Sequence, residues 1–134
     1  MTTGGADRTL LAFDFGSRFI GVAIGNTVTG QARPLARIAT EPVARRFEQI
    51  SALVEEWAPD ALVVGLPLGR AGEEQPATAA ARRFARQLEV RYRRPVALAD
   101  ERYSRLAAQA EGAPAAADDA DAAAIILRQY LHGH

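Results

Sequence analysis

Acidic side chains stand at three places in the chain where predicted strands or helices begin or end. Asp14 interrupts an apolar run, and Asp119 stands at the start of the last helical pattern. Asp100 and Glu101 follow a short apolar strand. Each has an ordinary explanation, because strand-end acids accept backbone N–H groups and first-turn acids complement the helix dipole. If the three places converge, their carboxylates repel one another unless a cation pairs with them.

The available ligand types favour magnesium or manganese over zinc. The chain has no cysteine, and its two histidines, His132 and His134, stand at the C-terminus. Oxygen ligands alone suit the hard cations Mg²⁺ and Mn²⁺. One or two such ions can activate a water molecule and stabilise the leaving oxygen of a phosphodiester. The acids therefore predict metal-dependent phosphodiester hydrolysis.

The last helix begins with three aspartates, of which Asp119 has the position expected of a metal ligand. The residues 4, 7 and 11 positions after Asp119 are apolar or aromatic, so Asp119 heads the stripe that faces the sheet. Asp118 is the natural N-cap. Asp121 lies about 200° round the helix from Asp119, and it remains the alternative third ligand.

The charges sum to zero, but they are unevenly placed. All 16 basic residues are arginine, and residues 82–94 hold six of them against one glutamate. Residues 111–121 hold four acids and no base. This distribution suits an acidic metal site beside a phosphate-binding surface, and it also suits a solvated helix face. The arginines predicted to bind nucleic acid are Arg18, Arg70, Arg82, Arg83, Arg86 and Arg102.

Length and composition indicate one globular domain. A chain of 134 residues can bury a core of its own, and we predict this domain at residues 9–131. Residues 1–8 are expected to form a disordered tail, and residues 132–134 a frayed C-terminus. The apolar runs are too short to span a bilayer, and MTTGGADRT lacks the apolar core of a signal peptide. We therefore expect a cytoplasmic protein.

The apolar patterns predict an α/β fold with the order β-β-β-α-β-α-β-α. The first three strands have short connections and form an antiparallel meander, and two further strands join in parallel through helices. The product is a five-stranded mixed sheet with helices on both faces. The predicted strands are residues 9–15, 19–25, 32–39, 61–66 and 96–99.

The predicted helices carry one apolar stripe each. Thr40 is expected to cap the first helix, and Val43 and Ala77 head the stripes of the first and second helices. Ligand chemistry in such sheets collects at the carboxyl ends of the strands. Asp100 and Glu101 lie there by position.

Several runs of this chain resemble the YqgF/RuvX family. They are LLAFDFGSRFIGVAIGN, ARPLARI, VVGLPLGRAGEEQPATAAARRFARQL, DER and DAAAIILRQYL, which occur in this order over most of the predicted domain. The family has a ribonuclease-H-like fold and is related to Holliday-junction resolvases. The resemblance implies a nuclease that matures the 5′ end of the small-subunit ribosomal RNA precursor in bacteria.

The resemblance also implies roles for individual residues. Metal ligation carries over to Asp14, Glu101 and Asp119, with Asp100 as a candidate further ligand. The GLPL loop at residues 65–68 is expected to shape the floor of the site.

The chain departs from the family pattern after DER, where residues 105–118 are short and rich in alanine. Three functions are compatible with the sequence. They are a metal-dependent nuclease for structured RNA, a resolvase-type nuclease for branched DNA, and a non-catalytic nucleic-acid-binding factor in ribosome assembly. Phosphate contacts carry no base information, so the arginines do not separate RNA from DNA.

Overall fold

The predicted order of strands and helices is present in the computed structural model, which describes residues 7–102 and 118–133. Residues 1–6 of the predicted tail and residues 105–117 of the short alanine-rich segment lie outside the described residues. The strands are β1 (Thr9–Phe15), β2 (Phe19–Asn26), β3 (Ala32–Ala39), β4 (Ala61–Leu66) and β5 (Val96–Asp100). The helices of the described part are α1 (Val43–Trp57), α2 (Pro76–Tyr92) and α3 (Asp119–His132).

The strands form one mixed sheet in the order β3-β2-β1-β4-β5. β1, β2 and β3 pair antiparallel, whereas β1 with β4 and β4 with β5 pair parallel. The prediction of a five-stranded mixed sheet is therefore confirmed. β1, β4 and β5 all finish at the same end of the sheet, which we call the carboxyl edge.

The two faces of the sheet carry cores of different character. On one face, large side chains such as Leu11 and Phe13 pack against α1 and α2, and the rings of Phe13 and Phe84 meet edge to face at 5.7 Å. On the other face, Ala12 and Ala23 pack against α3. Helices cover both faces, as predicted, but the layer formed by α3 rests largely on small residues.

The predicted cap of α1 is wrong. α1 begins at Val43 after Pro42, and no side chain caps it. The hydroxyl of Thr40 instead donates a hydrogen bond to the carbonyl of Gly16, at 2.7 Å. This longer-range hydrogen bond replaces the local one, because a hydroxyl can satisfy a backbone group anywhere within reach.

The predictions that Val43 and Ala77 head the buried stripes of α1 and α2 are also wrong. Val43 is 44% exposed, and Ala77 is exposed. In α2 the adjacent Thr78 is fully buried instead. The cost of burying its hydroxyl is offset by a hydrogen bond that it donates to the carbonyl of Pro67. Among the helices that the structure describes, none has both the length and the apolar character needed to cross a bilayer.

Candidate active site at the carboxyl edge

Asp14 lies near the end of β1, with a glycine beside it on each neighbouring strand. The β1–β2 register places Asp14 opposite Gly21. The parallel register with β4, continued by one residue beyond its last pair, places Gly65 on the other side. Side chains alternate along a strand, so Asp14 points to the same face as Ala12, the face covered by α3. The two positions that flank the Asp14 carboxylate thus carry no side chain.

The start of α3 lies directly against the first of these glycines. A Cβ at Gly21 would overlap the backbone carbonyl of Asp119 and would lie 2.8 Å from the backbone nitrogen of Ala120. Glycine is the residue that permits so close an approach of another backbone to a strand. Neighbouring strands lie about 4.8 Å apart, so the first turn of α3 stands beside Asp14.

Glu101 reaches back over the second glycine. Its Oε2 lies 2.7 Å from the point that a Cβ of Gly65 would occupy, and Cδ1 of Ile126 lies 2.8 Å from the same point. The Glu101 carboxylate is therefore placed between β4 and α3, on the face to which Asp14 points. The structure brings Asp14, Glu101 and the start of α3 to one part of the sheet.

The donor groups at this place fit a hard divalent cation, because they are carboxylate oxygens without thiolate or imidazole. Within residues 7–102 and 118–133, no three acidic or histidine side chains are arranged closely enough to hold an ion. Carboxylates repel one another, and a cation bound between them would remove that repulsion.

Asp100 and Glu101 are adjacent, but they face opposite sides of the sheet. Leu98, two residues before Asp100, lines a cleft with α2, so Asp100 points to the α2 side. Its carboxylate accepts hydrogen bonds from Nη2 of Arg102 at 2.6 Å and from Nε at 3.0 Å. These hydrogen bonds hold the pKa of Asp100 below its ordinary value. The structure does not bring Asp100 to the side on which Asp14 and Glu101 lie.

The loop at residues 67–75, between β4 and α2, is tied down at both ends. Fully buried Thr78 donates to the carbonyl of Pro67 at its start. Near its end, Arg82 forms an ion pair with Glu74 at 2.6 Å, and hydrogen bonding from Arg82 lowers the pKa of the Glu74 carboxyl. The guanidinium of Arg82, one of the predicted nucleic-acid ligands, thus binds a carboxylate of the protein.

Two of the other predicted nucleic-acid ligands are exposed at the carboxyl edge. Arg70 is exposed on the loop, and Arg18 is exposed in the turn between β1 and β2. That turn is anchored through Gly16, whose carbonyl accepts the hydroxyl of Thr40. The carbonyl of Thr40 in turn accepts Nε of buried Arg46 at 3.0 Å, and burial lowers the pKa of this guanidinium. Both exposed arginines thus project from backbone that is fixed by internal hydrogen bonds.

Arg83 and Arg86 lie away from the acids. Both are exposed on α2, and they line a groove with Val43 and Val90 between α1 and α2. α2 covers the face opposite to the one to which Asp14 points. A basic run in the sequence does not reveal which face of the sheet its helix covers, so this separation was not predictable.

The aspartates of α3 have different positions. Asp118 is the N-cap, as predicted, and its Oδ1 accepts the backbone N–H of Asp121 at 2.9 Å. Asp119 and Asp121 both lie in the first turn, but the backbone of Asp119 is the part that meets β2.

Sequence reasoning missed Gly21, and it named Gly65 only as part of the GLPL loop expected to shape the floor of the site. Gly21 and Gly65 contact Asp119 and Glu101, respectively. A signal was present in β2, where the alternate residues Gly21, Ala23 and Gly25 are all small. Small residues at alternate strand positions indicate close approach of another element to that face.

The fold places the protein in the ribonuclease-H-like class. The structure of Thermus thermophilus RuvC in complex with Holliday junction substrate superposes with a TM-score of 0.65 at 18% identity, covering 94% of each chain. The likeness shows that the two proteins share this fold.

The family follows from the sequence comparisons. The family model "RuvX: Holliday junction resolvase" matches residues 8–133. A protein of Bordetella parapertussis is 57% identical over 125 residues, covering 93% of this chain and 94% of that protein. One of Ralstonia pickettii is 53% identical over 128 residues, covering 96% and 90%, respectively. Both are named "Putative pre-16S rRNA nuclease". The chain belongs to the RuvX family, and its enzyme class is that of the nucleases.

Proposed function

We propose that this protein is a divalent-metal-dependent endonuclease that matures the 5′ end of the small-subunit ribosomal RNA precursor in the cytoplasm. The names of the relatives in Bordetella and Ralstonia support the substrate. The main support for this reaction is the position of Asp14 between Gly21 and Gly65 on the two neighbouring strands. It allows a helix start and a glutamate to approach one strand aspartate from both sides.

Asp14, Glu101 and Asp119 would hold one or two Mg²⁺ or Mn²⁺ ions, with Asp121 as the alternative to Asp119. A bound ion supplies a Lewis acid that activates water and stabilises the leaving oxygen of a phosphodiester. Asp14 provides the fixed ligand, because its strand is buried between two neighbours. Glu101 and Asp119 provide ligands from elements that pack over the flanking glycines.

The exposed arginines would bind different phosphates of the nucleic acid. Arg18 and Arg70 project at the carboxyl edge, so they would hold phosphates next to the bond that is cut. Arg83 and Arg86 lie on the opposite layer, so they would contact phosphates farther along the same nucleic acid. Arg82 and Arg102 would contribute by fixing the loop at 67–75, through the Glu74 carboxylate and the Arg70 carbonyl, respectively.

Two paired substitutions separate these roles. The variant Arg18→Ala/Arg70→Ala is expected to lower both kcat and the salt dependence of binding, because it removes contacts beside the reacting phosphate. Arg83→Ala/Arg86→Ala is expected to flatten the salt dependence while kcat stays unchanged. Each lost contact to single-stranded nucleic acid reduces the slope of log K against log salt by about 0.7. If the second variant has the wild-type slope, the α2 surface is only a solvated helix face.

A second candidate function is cleavage of branched DNA, which the family description favours. A cleavage assay with precursor ribosomal RNA and a four-way DNA junction, each with and without Mg²⁺, decides between the substrates. We expect Mg²⁺-dependent cleavage of the RNA. Cleavage of the junction alone would make the protein a resolvase. RNA binding without cleavage in either Mg²⁺ or Mn²⁺ would indicate a non-catalytic assembly factor.

A further inference from the structure

Every guanidinium nitrogen of Arg102 donates to a protein oxygen. Nη2 and Nε bind the carboxylate of Asp100 at 2.6 and 3.0 Å, and Nη1 binds the carbonyl of Arg70 at 3.2 Å. The same guanidinium lies against Gly72, with Nη1 3.4 Å from the point that a Cβ would occupy. These hydrogen bonds fix the planar guanidinium in one orientation, so Arg102 is not a mobile surface charge.

We propose that Asp100 and Arg102 form a latch that positions Glu101 and the loop at 67–75 for the reaction. Arg102 is then a positioning residue and not a phosphate ligand, and Asp100 is its anchor and not a metal ligand. This inference rests on the proposed function, because Glu101 is taken to be a ligand there.

Asp100 and Arg102 precede and follow Glu101 in the chain, so their pairing fixes the backbone at Glu101. The backbone N–H of Arg102 donates to Oδ1 of Asp100 at 2.9 Å, in addition to the side-chain pair. Backbone and side chain of Arg102 thus bind one carboxylate, which sets the direction of the chain as it leaves β5. The Glu101 side chain projects to the other side, over Gly65. A free backbone at this point would let the Glu101 carboxylate leave that position.

The latch also reaches the middle of the loop. Within the loop, the N–H of Gly69 donates to the carbonyl of Glu73, and the N–H of Gly72 donates to the carbonyl of Gly69, both at 2.9 Å. The ends are held by Thr78 and Arg82, as described above. The hydrogen bond from Arg102 to the Arg70 carbonyl adds a tie between the middle of the loop and the end of β5. It therefore links the exposed Arg70 side chain to the segment that carries Glu101.

Two conservative substitutions break the latch and leave most other properties unchanged. Arg102→Lys keeps the positive charge but loses the fork, which a point-like ammonium does not reproduce. Asp100→Asn keeps the shape but loses the charge-assisted hydrogen bonds. Arg94→Lys is the matched control. Arg94 also binds backbone carbonyls, those of Pro59 and Tyr92 at 2.6 and 2.9 Å, but it lies beyond the other end of α2.

The test measures kcat, KM, the Mg²⁺ requirement and amide hydrogen exchange for both single variants and the double variant. Loss of a partner that orients a metal ligand typically lowers activity by about 10–100-fold, so we expect each single variant to lose kcat in this range. The double variant should lose no more than the worse single variant, because both remove the same interaction. Exchange of the Gly69 and Gly72 amides should become roughly tenfold faster, as expected on loss of a hydrogen bond to a charged group. Arg94→Lys should change neither quantity.

Several results would overturn the latch. A double variant whose loss equals the product of the single losses would give the two residues independent roles. A higher Mg²⁺ requirement in Asp100→Asn with unchanged amide exchange would make Asp100 a ligand. A reduced salt slope of RNA binding in Arg102→Ala, which removes the charge, would make Arg102 a phosphate contact. If the wild-type protein shows no metal-dependent cleavage but the variants show faster amide exchange in the loop, the latch is supported and the proposed function is rejected.

Discussion

Asp14→Asn is expected to abolish metal-dependent cleavage without disturbing the fold. The substitution keeps the shape of a half-buried side chain on β1, but it removes the negative charge that a divalent cation needs. Loss of an outer partner of a metal ligand already costs about 10–100-fold in activity, so removal of a central ligand should lower kcat by more than about a hundredfold. The measurement is single-turnover cleavage of precursor RNA over a range of Mg²⁺ concentrations, together with thermal unfolding.

Asp118→Asn provides the matched control for this prediction. Asp118 is exposed, and its Oδ1 caps α3 by accepting the N–H of Asp121. Asparagine is as good an N-cap as aspartate, so this variant should cleave at the wild-type rate. Unimpaired cleavage by Asp14→Asn would remove the basis for a metal centre on β1.

Gly21→Ala is expected to impair both activity and stability. Its Cβ would meet the backbone of Asp119 and Ala120, and backbone atoms cannot move aside by changing a rotamer. The start of α3 must shift, at a cost of about 1–3 kcal/mol in the free energy of unfolding, as for other overpacked sites. A displacement of about 1 Å at a reacting centre can cost about a hundredfold in rate. Denaturant unfolding and kcat together test the prediction.

Gly65→Ala and Gly133→Ala provide the comparison for Gly21→Ala. At Gly65 the nearest atoms are the ends of the Glu101 and Ile126 side chains, which can rotate away. Stability should therefore fall less than in Gly21→Ala, although kcat falls because Glu101 moves. Gly133 lies beyond the other end of α3, where the nearest atom is 3.1 Å from the new Cβ, and both properties should be close to wild type. Wild-type stability and rate in Gly21→Ala would show that this contact does not fix α3.

The sequence was sufficient to predict the strands, because each apolar run is bounded by turn residues. β1, β3 and β4 begin and end at the predicted residues, and the mixed sheet follows from the lengths of the connections. The convergence of Asp14 and Glu101 at one edge was predictable for the same reason. Parallel strands bring their carboxyl ends together.

The contacts between side chains and distant backbone were not predictable from local patterns. Thr40 and Thr78 both hydrogen-bond to carbonyls of remote turns, and no spacing rule encodes such partners. The separation of Asp100 from Glu101 was encoded in strand alternation. Adjacent acids at a strand end suggest a shared role, so Asp100 was grouped with Glu101 in the prediction.

The layer under α3 contributes smaller apolar side chains than the aromatic layer under α1 and α2. Three of the five buried residues of α3 are alanines, whereas α1 and α2 bury Phe47, Ile50, Phe84 and Leu88. Hydrophobic stabilisation scales with the apolar area removed from water, so we expect α3 to take part in local opening. An ion bridging Asp119 to β1 would fasten this helix to the sheet, so cation occupancy and local opening oppose each other. Release of the ion and local opening of α3 would then occur in the same fluctuation.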